Sequence, residues 1–129
     1  LQVEEIANRL LSTDEDITFS GGDPMFQMEA FAELASIIKA KSNKNIWCYT
    51  GYTFEQLLRN NKSLELLKNI DVLVDGRFIE EQKDKEILFR GSRNQRLIDV
   101  QQSLKLGEIV TYQPIGLLSP LLMKYKIHA

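Results

Sequence analysis

The chain has 129 residues, 43% of them hydrophobic and 26% charged, the balance of a soluble globular domain long enough to bury a core. Its 16 basic against 18 acidic residues give no basic field to recommend nucleic acid or an anionic membrane as partner, and no apolar run is long enough to span a bilayer. One cysteine, Cys48, excludes an internal disulfide and a metal cluster held by this chain alone, and with no secretory signal at the start a cytoplasmic location is expected.

Val3, Ile6, Ala7, Leu10 and Leu11 recur at helical spacing among Glu4, Glu5, Asn8 and Arg9, so the chain opens on an amphipathic helix. Ile17 to Phe19 then favour strand geometry through β-branched and aromatic side chains, and the strand runs through Ser20 into Gly21-Gly22-Asp23-Pro24. The two glycines let the backbone bend and approach a ligand. Asp23 suits an N-cap and Pro24 the first helical position. A helix is predicted from about Pro24 to Lys41, with Gln27, Phe31, Leu34, Ala35 and Ile38 as its buried stripe.

Ile46 to Thr50 reads as a second strand, apolar on both faces as in a buried parallel sheet, and it ends at Gly51. Thr53 with Gln56 three residues on fits a capping box, and Ser63 is expected to cap a further helical turn or two. Ile70 to Asp75 is the third strand, followed at once by Gly76 and Arg77. Residues 80–86 form a charged loop, and 89–96 a polar loop bearing Arg90, Arg93 and Arg96, read as solvated. Then come a short apolar run, Leu97 to Val100, and a last strand from Glu108 to Tyr112. The tail from Gln113 is apolar without clean periodicity.

Three strands thus end in glycine with polar neighbours. In a parallel sheet those ends lie on one edge, where α/β folds bind ligands, so groups far apart in sequence converge. Each also has a plainer reading: Gly21-Gly22 as a tight turn, Asp23 as a cap, Asp75 and Arg77 as a solvated pair. Cys48, Trp47, Tyr49, Phe31 and Phe19 read as core. His128 lies in the tail and is expected to be exposed.

Residues 17–27 (ITFSGGDPMFQ), 46–57 (IWCYTGYTFEQL), 71–78 (DVLVDGRF) and 91–101 (GSRNQRLIDVQ), in that order, resemble the activating proteins of anaerobic ribonucleotide reductase, members of the radical S-adenosylmethionine superfamily. The resemblance covers about residues 1–112 and implies an α/β fold. That fold would be a partial radical-SAM-type (β/α) barrel, an open, curved, mostly parallel sheet with outer helices, with 113–129 as an apolar tail of unclear role. It implies reductive cleavage of S-adenosylmethionine by a 4Fe-4S cluster, the resulting 5′-deoxyadenosyl radical removing a glycine hydrogen from the large subunit of the reductase. By the same resemblance, Ser20, Gly21, Gly22, Asp23 and Pro24 meet the methionine moiety and Thr50 and Gly51 border the same cofactor. Asp75 and Arg77 are a charged pair near ribose and carboxylate, and Ser92 and Asn94 are further neighbours.

The tail after Tyr112 departs from the family, and a more serious departure lies at the start. The Cys-x-x-x-Cys-x-x-Cys loop that ligates the cluster, which in the family precedes the Gly-Gly, has no counterpart before Gly21, and the first strand of the barrel is expected to be missing with it. The chain as given is therefore expected to be inactive alone and to expose a sheet edge open to self-association. A non-catalytic remnant that binds a partner, and a nucleotide or phosphate binder using the same strand ends, stay open as alternatives. The absence of a Gly-x-x-x-x-Gly-Lys ranks the second last.

Overall fold

The computed structural model describes residues 2–20, 23–84, 86, 89–113 and 125–128. Gly21, Gly22 and residues 114–124 lie outside that range. The elements in order are α1 (Val3–Leu11), β1 (Ile17–Ser20), α2 (Met28–Lys41), β2 (Ile46–Tyr49), α3 (Phe54–Leu58), α4 (Asn61–Leu67), β3 (Val72–Asp75), β4 (Arg96–Asp99), α5 (Val100–Leu106) and β5 (Tyr125–His128).

The strands form one sheet in the order β4-β3-β2-β1-β5. β1, β2, β3 and β5 run parallel, with Ile17 opposite Ile46 and Trp47 opposite Val72, while β4 is antiparallel to β3. Helix α2 links β1 to β2, and α3 with α4 links β2 to β3, giving two successive βαβ units. The described residues thus form an open, mostly parallel α/β sheet.

Alternation along the strands divides the core. Ile17, Phe19, Ile46, Cys48, Leu73 and Ile98 point to the face covered by the helices, where they meet Ala7, Leu10, Phe31, Leu34, Ala35, Ile38, Leu66 and Leu67. Phe19 and Phe31 pack edge to face at 4.7 Å between ring centres. Trp47, Val72 and Val74 point to the opposite face, where among the described residues Tyr49, Phe89, Leu97 and Tyr112 pack against them. At the amino ends of β2 and β3, Asp71 accepts from Lys39 Nζ at 2.9 Å and from the Ile46 amide at 2.8 Å, which fixes the edge opposite the candidate site.

Several expectations are corrected. The helix predicted from Pro24 opens with a 3-10 turn, Pro24–Gln27, and becomes α-helical only at Met28. Gln27 is exposed and Met25 takes the buried place, because the tighter turn rotates the register. Asn60, not Ser63, caps α4, and the Ser63 hydroxyl donates instead to the Leu57 carbonyl. Residues 108–112 form only an isolated bridge, Thr111 with Ile98, whereas 100–106 are a helix capped by Asp99. Arg96 stands in β4, not in a solvated loop. The edge of β1 expected to lie open is occupied by β5, which pairs with all four of its residues.

Candidate functional site

The carboxyl ends of β1, β2 and β3 do come together, and polar groups join each to the next. Between β1 and β2 the join is Asp23, the N-cap of the 3-10 turn. Its Oδ1 accepts from the Met25 amide at 3.0 Å and from Thr50 Oγ1 at 2.9 Å, and its Oδ2 accepts from the Gly51 amide at 2.8 Å. Thr50, itself buried, receives the Tyr52 amide on the same hydroxyl at 3.2 Å. A carboxylate with so many donors is fixed in orientation.

Between β2 and β3 the main chain makes the join: the Thr50 amide donates to the Val74 carbonyl and the Gly76 amide to that of Tyr52, at 3.1 and 2.9 Å. Gly76 has φ +93°, which an L side chain adopts only under strain, so the glycine is required at that turn.

Between β3 and β4 the join is ionic. Asp75 is 1% exposed, and its carboxylate accepts from Arg96 Nε at 3.0 Å and Nη2 at 2.5 Å and from the Phe54 amide at 2.8 Å. Arg96 also donates to Glu55 Oε1 at 2.6 Å. Asp75, and after it Glu55, hold the guanidinium more firmly charged than usual, and the bond from Arg96 holds the Glu55 carboxyl below the ordinary range. The antiparallel register sets Asp75 opposite Arg96, so Arg96, not Arg77, is its ionic partner. Arg77 is exposed, and its carbonyl accepts from Asn94 Nδ2 at 2.7 Å.

Ser92 is buried, accepts from the Ile79 amide at 3.2 Å and donates to Asn94 Oδ1 at 2.6 Å. Gln95, overlooked in the sequence, organises this loop: Oε1 accepts from the Gly91 and Ser92 amides at 2.9 and 3.0 Å, while Nε2 donates to the Gly76 carbonyl at 3.0 Å. Arg96 and Gln95 follow Ser92 and Asn94 in the GSRNQR stretch, but only strand pairing shows which groups they meet.

These joins surround a shallow cleft of about 160 Å³ lined by Asp23, Tyr49, Thr50, Gly51, Gly76, Phe78 and Gln95. It presents main-chain groups and neutral side chains beside one fully engaged carboxylate. Asp23, Thr50 and Gly51 thus meet at the cleft, whereas Asp75 is buried with Arg96 and the Phe54 amide and does not line it. Ser92 and Asn94 belong to the loop that carries Gln95 to the cleft, Ser20 ends β1, Pro24 opens the 3-10 turn, and Gly21 and Gly22 fall outside the described residues.

A family model described as a 4Fe-4S single cluster domain matches residues 2–98. The chain belongs to that family. Among curated relatives, the anaerobic ribonucleoside-triphosphate reductase-activating protein of Enterobacteria phage T4 is 41% identical over 99 residues, 74% of this chain and 60% of the relative. Proteins of the same description from Vibrio cholerae and Escherichia coli K12 are 44% identical over 82 residues and 36% over 98, covering 61% and 71% of this chain and 52% and 62% of theirs. The chain therefore spans about three fifths of the length of these relatives. No solved structure matches.

No three His, Cys, Asp or Glu side chains come together as a metal site among the described residues. Cys48 is buried on the helix-covered face, and burial, reinforced by the charge of Asp23, pushes its thiol far above its usual range. A protonated thiol inside a core is no cluster ligand. The described residues do not fit a 4Fe-4S cluster. No helix among them is long and apolar enough to cross a membrane.

Proposed function

We propose that the chain is the S-adenosylmethionine-holding part of an activating enzyme of anaerobic ribonucleotide reductase. In this reading the sheet is part of a radical-SAM-type barrel, and the cluster's cysteines are supplied from outside the described residues. Ser20, Gly21, Gly22, Asp23 and Pro24 receive the methionine end of the cofactor and Thr50 and Gly51 border it. Arg77, Ser92 and Asn94 reach it from the rim, while Asp75 acts as a positioning residue through Arg96 and the amino end of α3. The whole protein acts on a glycine of the large reductase subunit, its partner, in the cytoplasm, and this part alone is inactive.

The observation that carries the reading is the clasp of Asp23 on Thr50 and Gly51, which joins the ends of β1 and β2 at the edge where parallel α/β sheets bind ligands. Glycine positions there let carbonyls and amides face a ligand carrying both an ammonium and a carboxylate. The protein containing this chain together with a Cys-x-x-x-Cys-x-x-Cys loop, reconstituted with iron and sulfide and given a reductant, is expected to release 5′-deoxyadenosine from S-adenosylmethionine. A reconstituted protein that leaves S-adenosylmethionine intact contradicts the reading. The single buried cysteine favours a second reading, a partner-binding α/β domain without cofactor, which predicts reductase binding without S-adenosylmethionine binding.

A further inference from the structure

On the face of the sheet that carries Trp47, Phe89 has φ +67°, a conformation that is a genuine outlier for a bulky side chain. Two contacts hold it there. The Tyr49 hydroxyl donates to its carbonyl at 2.7 Å, and its ring packs edge-on against Trp47 at 4.9 Å between centres. The next residue is also imperfectly accommodated: Arg90 Nη1 donates to the Gln95 carbonyl at 2.7 Å, but its Nε is buried without a hydrogen-bond partner. A strained backbone beside an unsatisfied buried donor persists only where neighbours enforce it. The two neighbours that do so here, Tyr49 and Gln95, both line the strand-end cleft.

We propose that Phe89 and Arg90 form a strained latch closed over Trp47, tied to the cleft by Tyr49 and Gln95 and opened when a ligand in the cleft engages those two side chains. The proposal rests on the reading of the cleft as a S-adenosylmethionine site, and it adds a conformational response to occupancy. The Tyr49 tie is its hydroxyl on the Phe89 carbonyl, and the Gln95 side-chain tie is Oε1 accepting from the Gly91 and Ser92 amides directly after Arg90, beside the main-chain carbonyl that receives Arg90 Nη1. A ligand that draws either side chain toward itself weakens the hold on Phe89 and Arg90. Phe89 then leaves the left-handed region, Arg90 Nε reaches water, and Trp47 loses its edge-on cover. Ser92 and Asn94, on the same loop, move with the latch, which gives them access to the ligand.

Trp47 is the single tryptophan and lies under the latch, so its emission reports the latch directly. The test compares wild type, Tyr49→Phe and Gln95→Ala, each with and without S-adenosylmethionine. Trp47 emission and the rate of tryptic cleavage after Arg90 are measured beside ligand retention in equilibrium dialysis, with circular dichroism to verify folding. Both variants are expected to show red-shifted emission and at least about five-fold faster cleavage without ligand, since Tyr49→Phe removes one hydrogen bond and Gln95→Ala the two from Oε1, and one bond of ordinary strength contributes about that factor to a local opening equilibrium. Wild type is expected to change the same way on binding, and the variants to change little further. A folded variant indistinguishable from wild type, or wild type that retains S-adenosylmethionine with unchanged emission and cleavage, overturns the latch. Failure of wild type to retain S-adenosylmethionine overturns the cofactor reading instead, and the comparison of variants without ligand then decides the latch alone.

Discussion

Asp23 shows how one side chain serves a turn and a site together. Its carboxylate caps the 3-10 turn after β1 and grips the end of β2, so removing it leaves the Gly51 amide and the Thr50 hydroxyl without their acceptor. Asp23→Ala is expected to destabilise the fold by about 1–3 kcal/mol in urea unfolding. An unchanged midpoint would mean that water replaces the clasp without cost. Cys48 gives a second prediction at this scale. Its folded pKa is raised, so the stability that depends on the neutral thiol is complete below the unfolded value of about 8.5 and is lost as pH rises toward the folded value. Burial raises the Tyr49 phenol as well, with the same sign from about pH 10. The urea midpoint is expected to fall between about pH 8 and pH 10.5, at up to about 1.4 kcal/mol per pH unit from Cys48 once its unfolded pKa is passed. A flat profile would place the thiol in contact with water.

At the scale of elements, the ionic join of β3, β4 and α3 is where local reading and pairing part company. Arg96→Ala strands a buried carboxylate at Asp75 and is expected to cost about 3 kcal/mol, because the cost of an unpaired buried charge exceeds the value of the pair. The double variant Asp75→Ala with Arg96→Ala is expected to cost less than the two single changes added together, and simple additivity would contradict the coupling. Glu55 adds a smaller, exposed contribution. Its folded pKa is lowered, so its contact with Arg96 is complete above the unfolded value and fades as pH falls through the folded one. The first three strands, the opening helix and the Thr53 capping box were legible because each depends on near neighbours: a period, a cap, a glycine at a strand end. The partner of Asp75 was not, because it depends on the antiparallel register of β4, and the same gap hid Gln95. Helix α5 escaped notice because Val100 to Leu106 is short and its cap, Asp99, reads equally well as the polar end of a strand.

At the scale of the molecule, β5 covers the edge of β1, with Tyr125 opposite Ile17 and His128 opposite Ser20. Nothing in the composition of the tail announces this pairing, since four residues acquire a partner only when the sheet exists. Deleting 114–129 is expected to uncover the edge of β1 and to produce concentration-dependent self-association in sedimentation velocity. A truncated chain that stays monomeric at every concentration would mean that β1 is protected in another way. The match to a 4Fe-4S single cluster domain over residues 2–98 takes in the carboxyl ends of β1, β2 and β3, although no three His, Cys, Asp or Glu come together as a metal site among the described residues.

The central claim is that the cradle at Asp23, Thr50 and Gly51 holds S-adenosylmethionine, and equilibrium dialysis of the chain against labelled S-adenosylmethionine, with ATP as competitor and Asp23→Ala as control, tests it most directly. The account predicts retention that excess ATP does not displace and that Asp23→Ala weakens about tenfold, a loss of about 1.4 kcal/mol. No retention by the wild-type chain, or retention that ATP abolishes and Asp23→Ala leaves untouched, would contradict it.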